Sequence, residues 1–226
     1  MVAFDDSVRL ARMTDWAKVI APEVGAALLE HHIFWEVQEI IRTNTQLQNT
    51  RSHFFEWMGD VFVASAAVAV RRQIDKHKNS VCLRRLLEET QQYAHLVTRT
   101  HYHAVCASLA SDDDLRDLHD RTFDEWAGVG GAHIDAPAVD RDLQSLLNAC
   151  DRIHHYVDKR VAHYDKQGVT PGMMPTFQDL EDAYKIMESL TQKYHLIFTG
   201  IWIGQLRPNI IYPWTDVFRV SWIPPN

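Results

Sequence analysis

The chain has little cysteine, glycine or proline and no long hydrophobic run. Its 3 cysteines are widely spaced and form no Cys-x-x-Cys pair, which favours buried, reduced thiols over a disulfide framework or a zinc site. The 9 glycines and 8 prolines are few for a loop-rich β protein of 226 residues. The longest apolar run, residues 61–70, is about half as long as a membrane span. The acidic N-terminus lacks the apolar core of a secretory signal. We therefore expect a cytoplasmic protein that does not enter a membrane.

Charge is unevenly distributed along the chain, although its formal net charge is -7. Residues 71–85 are basic and include Arg71 and Arg72, whereas residues 112–125 are acidic. The net charge argues against a protein coated in positive potential, but a basic segment can still attract an anionic partner. Two solvated helix faces would give the same pattern, so both interpretations stay open.

Apolar residues recur at spacings of three and four along most of the chain, which indicates helices. We expect an all-α protein, an antiparallel helical bundle of six or seven helices, folded as a single domain over residues 1–226. The predicted helices cover about residues 24–41, 54–70, 81–87, 92–107, 112–126, 138–161 and 176–199.

Several residues predict where these helices begin and end. Pro22 is well placed at a helix start, and Ser80 is a candidate cap for the short helix that follows it. Thr176 with Asp179 resembles a capping box, and Gly200 is a natural helix stop. In the tail, residues 205–226, three large aromatics recur every four residues between prolines. We expect this tail to pack on the bundle as a short helix, or on a partner subunit, because exposing these rings is unfavourable.

The 13 histidines do not form a recognisable metal pattern. No His-Glu-x-x-His is present, and Asp151-x-x-His154 is a single imperfect match where a di-iron bundle needs two Glu-x-x-His motifs. His154 and Asp158 are four residues apart, so they can form an ordinary hydrogen-bonded pair on one helix face. A serine hydrolase is disfavoured because no Gly-x-Ser-x-Gly occurs. The sequence therefore implies no metal and no cofactor.

The segment 157–166 is the most informative part of the chain. His163 falls where a long helix should end, and the helix dipole there favours a protonated imidazole. Asp158 or Asp165 could orient the ring. Cations that could hold a phosphate are Lys159, Arg160 and Lys166. The structural alternative is a C-terminal histidine beside a solvated turn of lysine and arginine.

Residues 158–165, Asp-Lys-Arg-Val-Ala-His-Tyr-Asp, resemble the closing motif of the abortive-infection AbiU-like branch of the HEPN superfamily. Residues 71–76 are similar to the branch's central Arg-Arg-x-x-Asp segment, and residues 176–200 to its last helix. The resemblance covers about residues 20–200. It implies a helical bundle that pairs as a homodimer. It also implies cleavage of RNA without metal by an Arg and, four to six residues later, a His.

Under this resemblance His163 is the catalytic acid/base and Asp158 is the polar residue that follows the Arg. The Arg itself is absent, because the position six before His163 is Val157, on the apolar stripe. Arg160, Arg71, Arg72 or a cation of a partner subunit are the candidates to replace it.

Three functions follow as hypotheses. The first is a metal-independent endoribonuclease of phage defence, or a weakened descendant that binds RNA. The second is a non-catalytic nucleotide-binding module. The third is a non-catalytic dimeric interaction protein, with a cognate antitoxin-type protein as a candidate partner.

Overall fold

The computed structural model describes residues 2–107, 115–161, 172–207 and 210–222, without the side chains of residues 2–5 and 161. These residues form α-helices and shorter 3-10 and π turns, and within them the single β-type pairing is the isolated bridge Thr98–His133. The α-helices are α1 (Val2–Thr43), α2 (Thr45–Gln48), α3 (His53–Gln73), α4 (Leu83–Gln92), α5 (Arg99–Ala107), α6 (Arg116–Ala127), α7 (Ala136–Tyr156) and α8 (Phe177–Thr199). The all-α prediction is confirmed.

The long helices pack as antiparallel neighbours around one core. Contacts join the beginning of each helix to the end of its neighbour, as the following pairs show. Between α1 and α8 the contacts are Thr14–Phe198 and His31–Glu181. Between α7 and α8 they are Asp142–Lys193 and Arg152–Asp179. Between α1 and α3 they are Glu23–Arg72 and Glu30–Ser65. The core of this bundle includes the buried rings of Tyr184 and Tyr194 from α8.

α1 begins well before the predicted start, so the assignment of Pro22 to a helix N-terminus was wrong. Pro22 lies inside the 42-residue α1. An internal proline loses one backbone hydrogen bond and costs about 3 kcal/mol. The buried stripe continues on both sides of it, through Met13, Ala17, Ile20 and Val24. Burial of these side chains offsets the lost bond and keeps the helix continuous.

Ser80 was also assigned incorrectly. α4 begins at Leu83 after Cys82, and the Leu83 amide donates to the Gln73 side chain at 3.2 Å. The Ser80 hydroxyl instead donates to Asp75. A single predicted helix over 92–107 is replaced by a 3-10 turn, Ala94–Leu96, and by α5.

Other boundaries agree with the sequence. α6 covers the later part of the predicted 112–126 helix, whose first residues lie outside the described ranges. Thr176 and Asp179 form the predicted capping box of α8. Gly200 ends α8 in the left-handed conformation, with φ of 69°, which glycine adopts without a steric cost. The three cysteines are free and buried, as expected.

The aromatic tail packs on the bundle through a short 3-10 helix, Trp214–Arg219. The Trp214 indole N–H donates to Glu36 of α1 at 2.9 Å. Phe218 and Trp222 stack with their ring centres 6.1 Å apart, beside a groove formed by α1, α2 and the first turn of α3. The predicted contact between tail and bundle is therefore present, but Phe218 and Trp222 stay 43% and 64% exposed, so the expectation that the tail rings are buried is wrong for these two.

α3 is long and apolar enough to cross a membrane when judged by length and composition alone, with a mean hydropathy of 1.2. Among the described residues it is the single helix with these properties. Its inner face carries Phe62, Ala66 and Val70 into the core. Its outer face exposes a stripe of large apolar side chains: Phe54, Trp57, Val61 and Val68.

Candidate functional site

The segment that carries the predicted motif has its own backbone geometry. α7 passes at Val157 into a π-helix, Val157–Val161, which contains Asp158, Lys159 and Arg160. Single π turns within helices are frequent at functional sites, because they re-aim side chains relative to the regular helix. The remaining candidate residues of the segment, His163, Asp165 and Lys166, lie outside the described residues.

Val157 points into the core and retains only 4% of its exposure. It continues the buried stripe of Leu146, Cys150 and Ile153 along α7. The interpretation of Val157 as a packing residue is confirmed. The position six residues before His163 therefore faces the protein interior, and the missing arginine cannot be regained there without burying a charge.

Arg71, from the last turn of α3, lies directly against the motif segment. Its Nε donates to Asp158 Oδ1 at 3.2 Å, although 87 residues separate the two in sequence. Its Nη1 donates to Asp75 Oδ1 at 3.3 Å. Within the described ranges no hydrogen bond occupies Nη2. The guanidinium is thus held in place by two carboxylates and keeps one nitrogen for a ligand.

Asp75 is the anchor of this arrangement; the sequence places it in the Arg-Arg-x-x-Asp segment but predicts no role for it at the site. It accepts hydrogen bonds from the Ser80 hydroxyl and from the His77 amide, in addition to Arg71. These bonds, chiefly that from Ser80, lower the pKa of Asp75 from 3.8 to about 2. Asp75 is therefore ionised at neutral pH and orients Arg71. The basic character of residues 71–85 hid its role.

His154 is the second residue that the sequence did not place in the site. Its Nε2 lies 3.6 Å from Asp158 Oδ2, beyond a good hydrogen bond but close enough for electrostatic attraction. Its Nδ1 is buried without a partner in the described part of the chain. Burial lowers the pKa of His154 below its usual 6.5, against the opposing effect of Asp158. A neutral imidazole thus stands beside Asp158, and their i, i+4 spacing was the available sequence indication.

The other predicted cations differ in where they lie relative to the Arg71–Asp158 contact. Arg72, about 100° further around α3, pairs with Glu23 of α1 at 2.7 Å, so the structure separates it from Asp158. Lys159 is half-buried and Arg160 is exposed, both on the π-helix beside Asp158. The structure therefore assembles Arg71, Asp158, Lys159 and Arg160 at one end of the bundle.

Metal ligation finds no support in the part of the chain that the structure describes. No group of three or more histidine, cysteine, aspartate or glutamate side chains is arranged there to hold an ion. The arrangement suits the binding of an anion by a positioned guanidinium, with carboxylate and imidazole groups near it for proton transfer.

Replacing Val157 with arginine should destabilise the protein and should not create an active site. Burying an unpaired charge in the core costs at least about 3 kcal/mol in the free energy of unfolding, and Val157→Ala should cost about 1–2 kcal/mol. Val19→Arg, at a half-exposed position of α1, should change stability by less than about 0.5 kcal/mol. Urea denaturation measures all three. A Val157→Arg protein as stable as the wild type would contradict the inward orientation of residue 157.

The low pKa of Asp75 predicts an acid-sensitive contribution to stability. The folded protein holds this carboxylate ionised more strongly than the unfolded chain, so its contribution is complete above the unfolded pKa of 3.8. It is lost as the pH falls through about 2. Asp75→Asn should therefore lower the free energy of unfolding at neutral pH by about 1–2 kcal/mol, after allowing for partial exposure.

Denaturation of wild type and Asp75→Asn across this pH range measures the gap between them. We expect the difference in unfolding free energy between the two proteins to disappear at about pH 2. In a carboxyl NMR titration, Ser80→Ala should raise the pKa of Asp75. A gap that stays constant from neutral pH to acid would show that Asp75 acts by packing and not by charge.

Comparison with known proteins identifies the family of this chain. The sequence model of the HEPN_AbiU2 family, described as AbiU2, matches residues 13–203, which includes α3, α7, the π-helix and α8. No curated protein and no solved structure matches the chain significantly. The predicted resemblance over about residues 20–200 is confirmed, and the chain belongs to the AbiU2 family of HEPN proteins.

Proposed function

We propose that this AbiU2-family protein binds RNA at the junction of α3 and the π-helix and cleaves it slowly without a metal, in phage defence. The observation that supports the proposal best is the position of Arg71. Its guanidinium reaches the motif segment from α3 and keeps Nη2 for a phosphate oxygen. Arginine donates to phosphate with well-directed N–H groups, so it can stabilise the charge that develops there.

His163 has the chemistry for proton transfer in this proposal. It follows Asp158 by five residues and Val161 by two. In metal-independent cleavage the ribose 2′-hydroxyl attacks the adjacent phosphorus and the 5′-oxygen leaves. His163 accepts the hydroxyl proton or supplies one to the leaving oxygen. Asp158 orients the imidazole, and Lys159, Arg160 and Lys166 attract the RNA backbone.

Slow turnover follows from the origin of the guanidinium. In this protein it comes from another helix and is shared with two carboxylates, whose negative charge weakens its interaction with phosphate. Loss of a single transition-state donor commonly lowers the rate by about a hundredfold to a thousandfold. We therefore expect cleavage weaker by about that factor than in a family member that carries the full motif.

Substitutions of Arg71 and Arg72 form a matched pair for testing the proposal, since the two residues are adjacent and each substitution removes one positive charge. Arg71→Ala should weaken RNA binding by about tenfold and should reduce the salt dependence of binding by about 0.7 in log–log slope, as expected for one lost phosphate contact to a single strand. It should also lower cleavage by about a hundredfold. Arg72→Ala should change each quantity by less than about threefold, because Arg72 pairs with Glu23 away from the site.

His163→Ala should abolish cleavage and leave RNA binding within about threefold of wild type, and wild-type cleavage should persist in a chelator. Gel assays of a labelled single-stranded RNA measure cleavage, and fluorescence anisotropy measures binding. Full cleavage by His163→Ala, or equal effects of the two arginine variants, would refute the proposed site.

A second observation favours a homodimer as the functional form. Phe54, Trp57, Val61 and Val68 on α3 are 38–58% exposed and are spaced by three, four and seven residues, like one seam of a coiled coil. Arg71 continues the same three–four spacing. We propose that two copies pair through this stripe, at one end of which Arg71 lies.

Trp57→Glu should separate such a dimer, because it places a charge in the middle of the apolar stripe. Trp202→Glu removes an equally exposed tryptophan elsewhere on the surface and should leave the mass unchanged. Sedimentation at about micromolar to about 100-micromolar concentration distinguishes the two forms. A wild-type protein that remains monomeric over this range would reject the dimer.

A further inference from the structure

A small apolar pocket lies about one helical turn from Arg71 along α3 and has no role in the function proposed above. Its volume is 160 Å³. Three helices contribute its walls: Val63 and Ala67 from α3, Ile153 and Tyr156 from α7, and Pro175, Thr176, Phe177 and Leu180 at the start of α8.

The size of this pocket suits one aromatic ring system. An apolar protein cavity of about 150 Å³ is large enough to hold benzene. The pocket is open at one side, where Phe177 is 48% exposed. A flat ring can therefore enter it from solvent without opening the core.

The walls of the pocket offer stacking surfaces that neighbouring rings hold in place. Phe177 contacts the Trp35 ring edge-on at 5.2 Å and lies nearly parallel to Phe34 at 6.3 Å. Phe34 in turn stacks on Phe62 at 3.8 Å. The Thr176 hydroxyl is committed to Asp179 in the helix cap. The pocket thus offers aromatic and apolar surface without a directed hydroxyl at that wall.

The position of the pocket matches the geometry of one nucleotide. Val63, Ala67 and Arg71 follow one another at intervals of four residues on α3, so Arg71 lies about 6 Å along the helix from Ala67. A ring against Ala67 and an anion at Arg71 are therefore about one helical turn apart on α3, a separation that a ribose can span.

We propose that this pocket holds the base of the nucleotide whose phosphate is bound by Arg71. The inference rests on the proposed RNA site and adds a subsite to it. An aromatic or aliphatic side chain of a protein partner would also fit the cavity. The adjacent cations, Arg71, Lys159 and Arg160, instead favour a ligand that joins a flat ring to a negative charge. Because shape and stacking dominate, the four bases should bind within a few-fold of one another.

The test combines a substitution that fills the pocket with RNA strands that lack one base. Val63→Phe fills the cavity, and Val19→Phe adds the same atoms at a half-exposed position of α1, away from it. RNA binding is measured by anisotropy with a short single strand and with versions in which each base in turn is removed. In the wild type, one abasic position should weaken binding by about tenfold to a hundredfold, the range of base–aromatic stacking.

In Val63→Phe the intact strand should bind as weakly as that abasic strand binds to the wild type, and removal of the same base should cause no further loss. Val19→Phe should behave as the wild type. Phe177→Ala supplies a second variant that removes the stacking ring and does not crowd the core, and circular dichroism checks that each protein is folded. Wild-type binding by both pocket variants would overturn the proposal.

Binding of a nucleoside, which carries no phosphate, tests the pocket independently of the proposed RNA site. Adenosine at about millimolar concentration should show saturation transfer from the wild type and none from Val63→Phe. Adenosine binding without RNA binding would support the pocket and reject the RNA site. RNA binding that needs Arg71 but is insensitive to base removal and to both pocket variants would reject the pocket alone. Binding of indole or a phenylalanyl peptide, with no adenosine binding, would show that the pocket serves a protein partner.

Discussion

Burial of the apolar stripe of α7 is the constraint on which the functional end of this protein depends. Cys150, Ile153 and Val157 pack into the core, so the rotational phase of the helix is determined up to its last turn. Once Val157 is inside, the next residue, Asp158, must face outward toward the end of α3. The π-helix begins at this point and contains Asp158, Lys159 and Arg160.

Charged contacts then hold the side chain of Arg71 at this end of α7. Arg71 spans two carboxylates, Asp75 on its own side and Asp158 across the interface. The Ser80 hydrogen bond keeps Asp75 ionised, with its pKa lowered to about 2, so the guanidinium retains a charged anchor over the whole neutral range. The salt bridges of Arg71 lie near the surface and add little net stability, because solvent screens them. The stability that Asp75 contributes comes chiefly from its Ser80 hydrogen bond. The main effect of the salt bridges is to position Arg71, and positioning is what a phosphate site requires.

With a buried valine at position 157, the RNA site proposed for this AbiU2-family chain takes its guanidinium from another helix. In the motif that the sequence resembles, the arginine and the histidine belong to one segment. In this protein the guanidinium comes from α3, and the same helix contributes Val63 and Ala67 to the neighbouring apolar pocket. A phosphate contact and a base contact would thus share one rigid support.

Sequence reasoning succeeded where the information is local. Spacings of three and four identified the helices, and Thr176 with Asp179 identified a cap, because neighbouring residues along the chain satisfy these interactions. It failed at Pro22 and Ser80. At Pro22 the burial of Met13, Ala17 and Ile20 outweighs a lost backbone bond. Ser80 donates to Asp75 instead of capping a helix, since its hydroxyl finds a stronger, charged acceptor there.

The sequence by itself determined the helical class, the family and the inward position of Val157, since each depends on the pattern of side chains along one segment. Only the tertiary structure decided that Arg71 and not Arg72 contacts Asp158, and that an apolar pocket lies one helical turn from Arg71. These facts depend on how α3, α7 and α8 pack against one another. A rotation of α3 by one residue, about 100°, would exchange the roles of the two arginines.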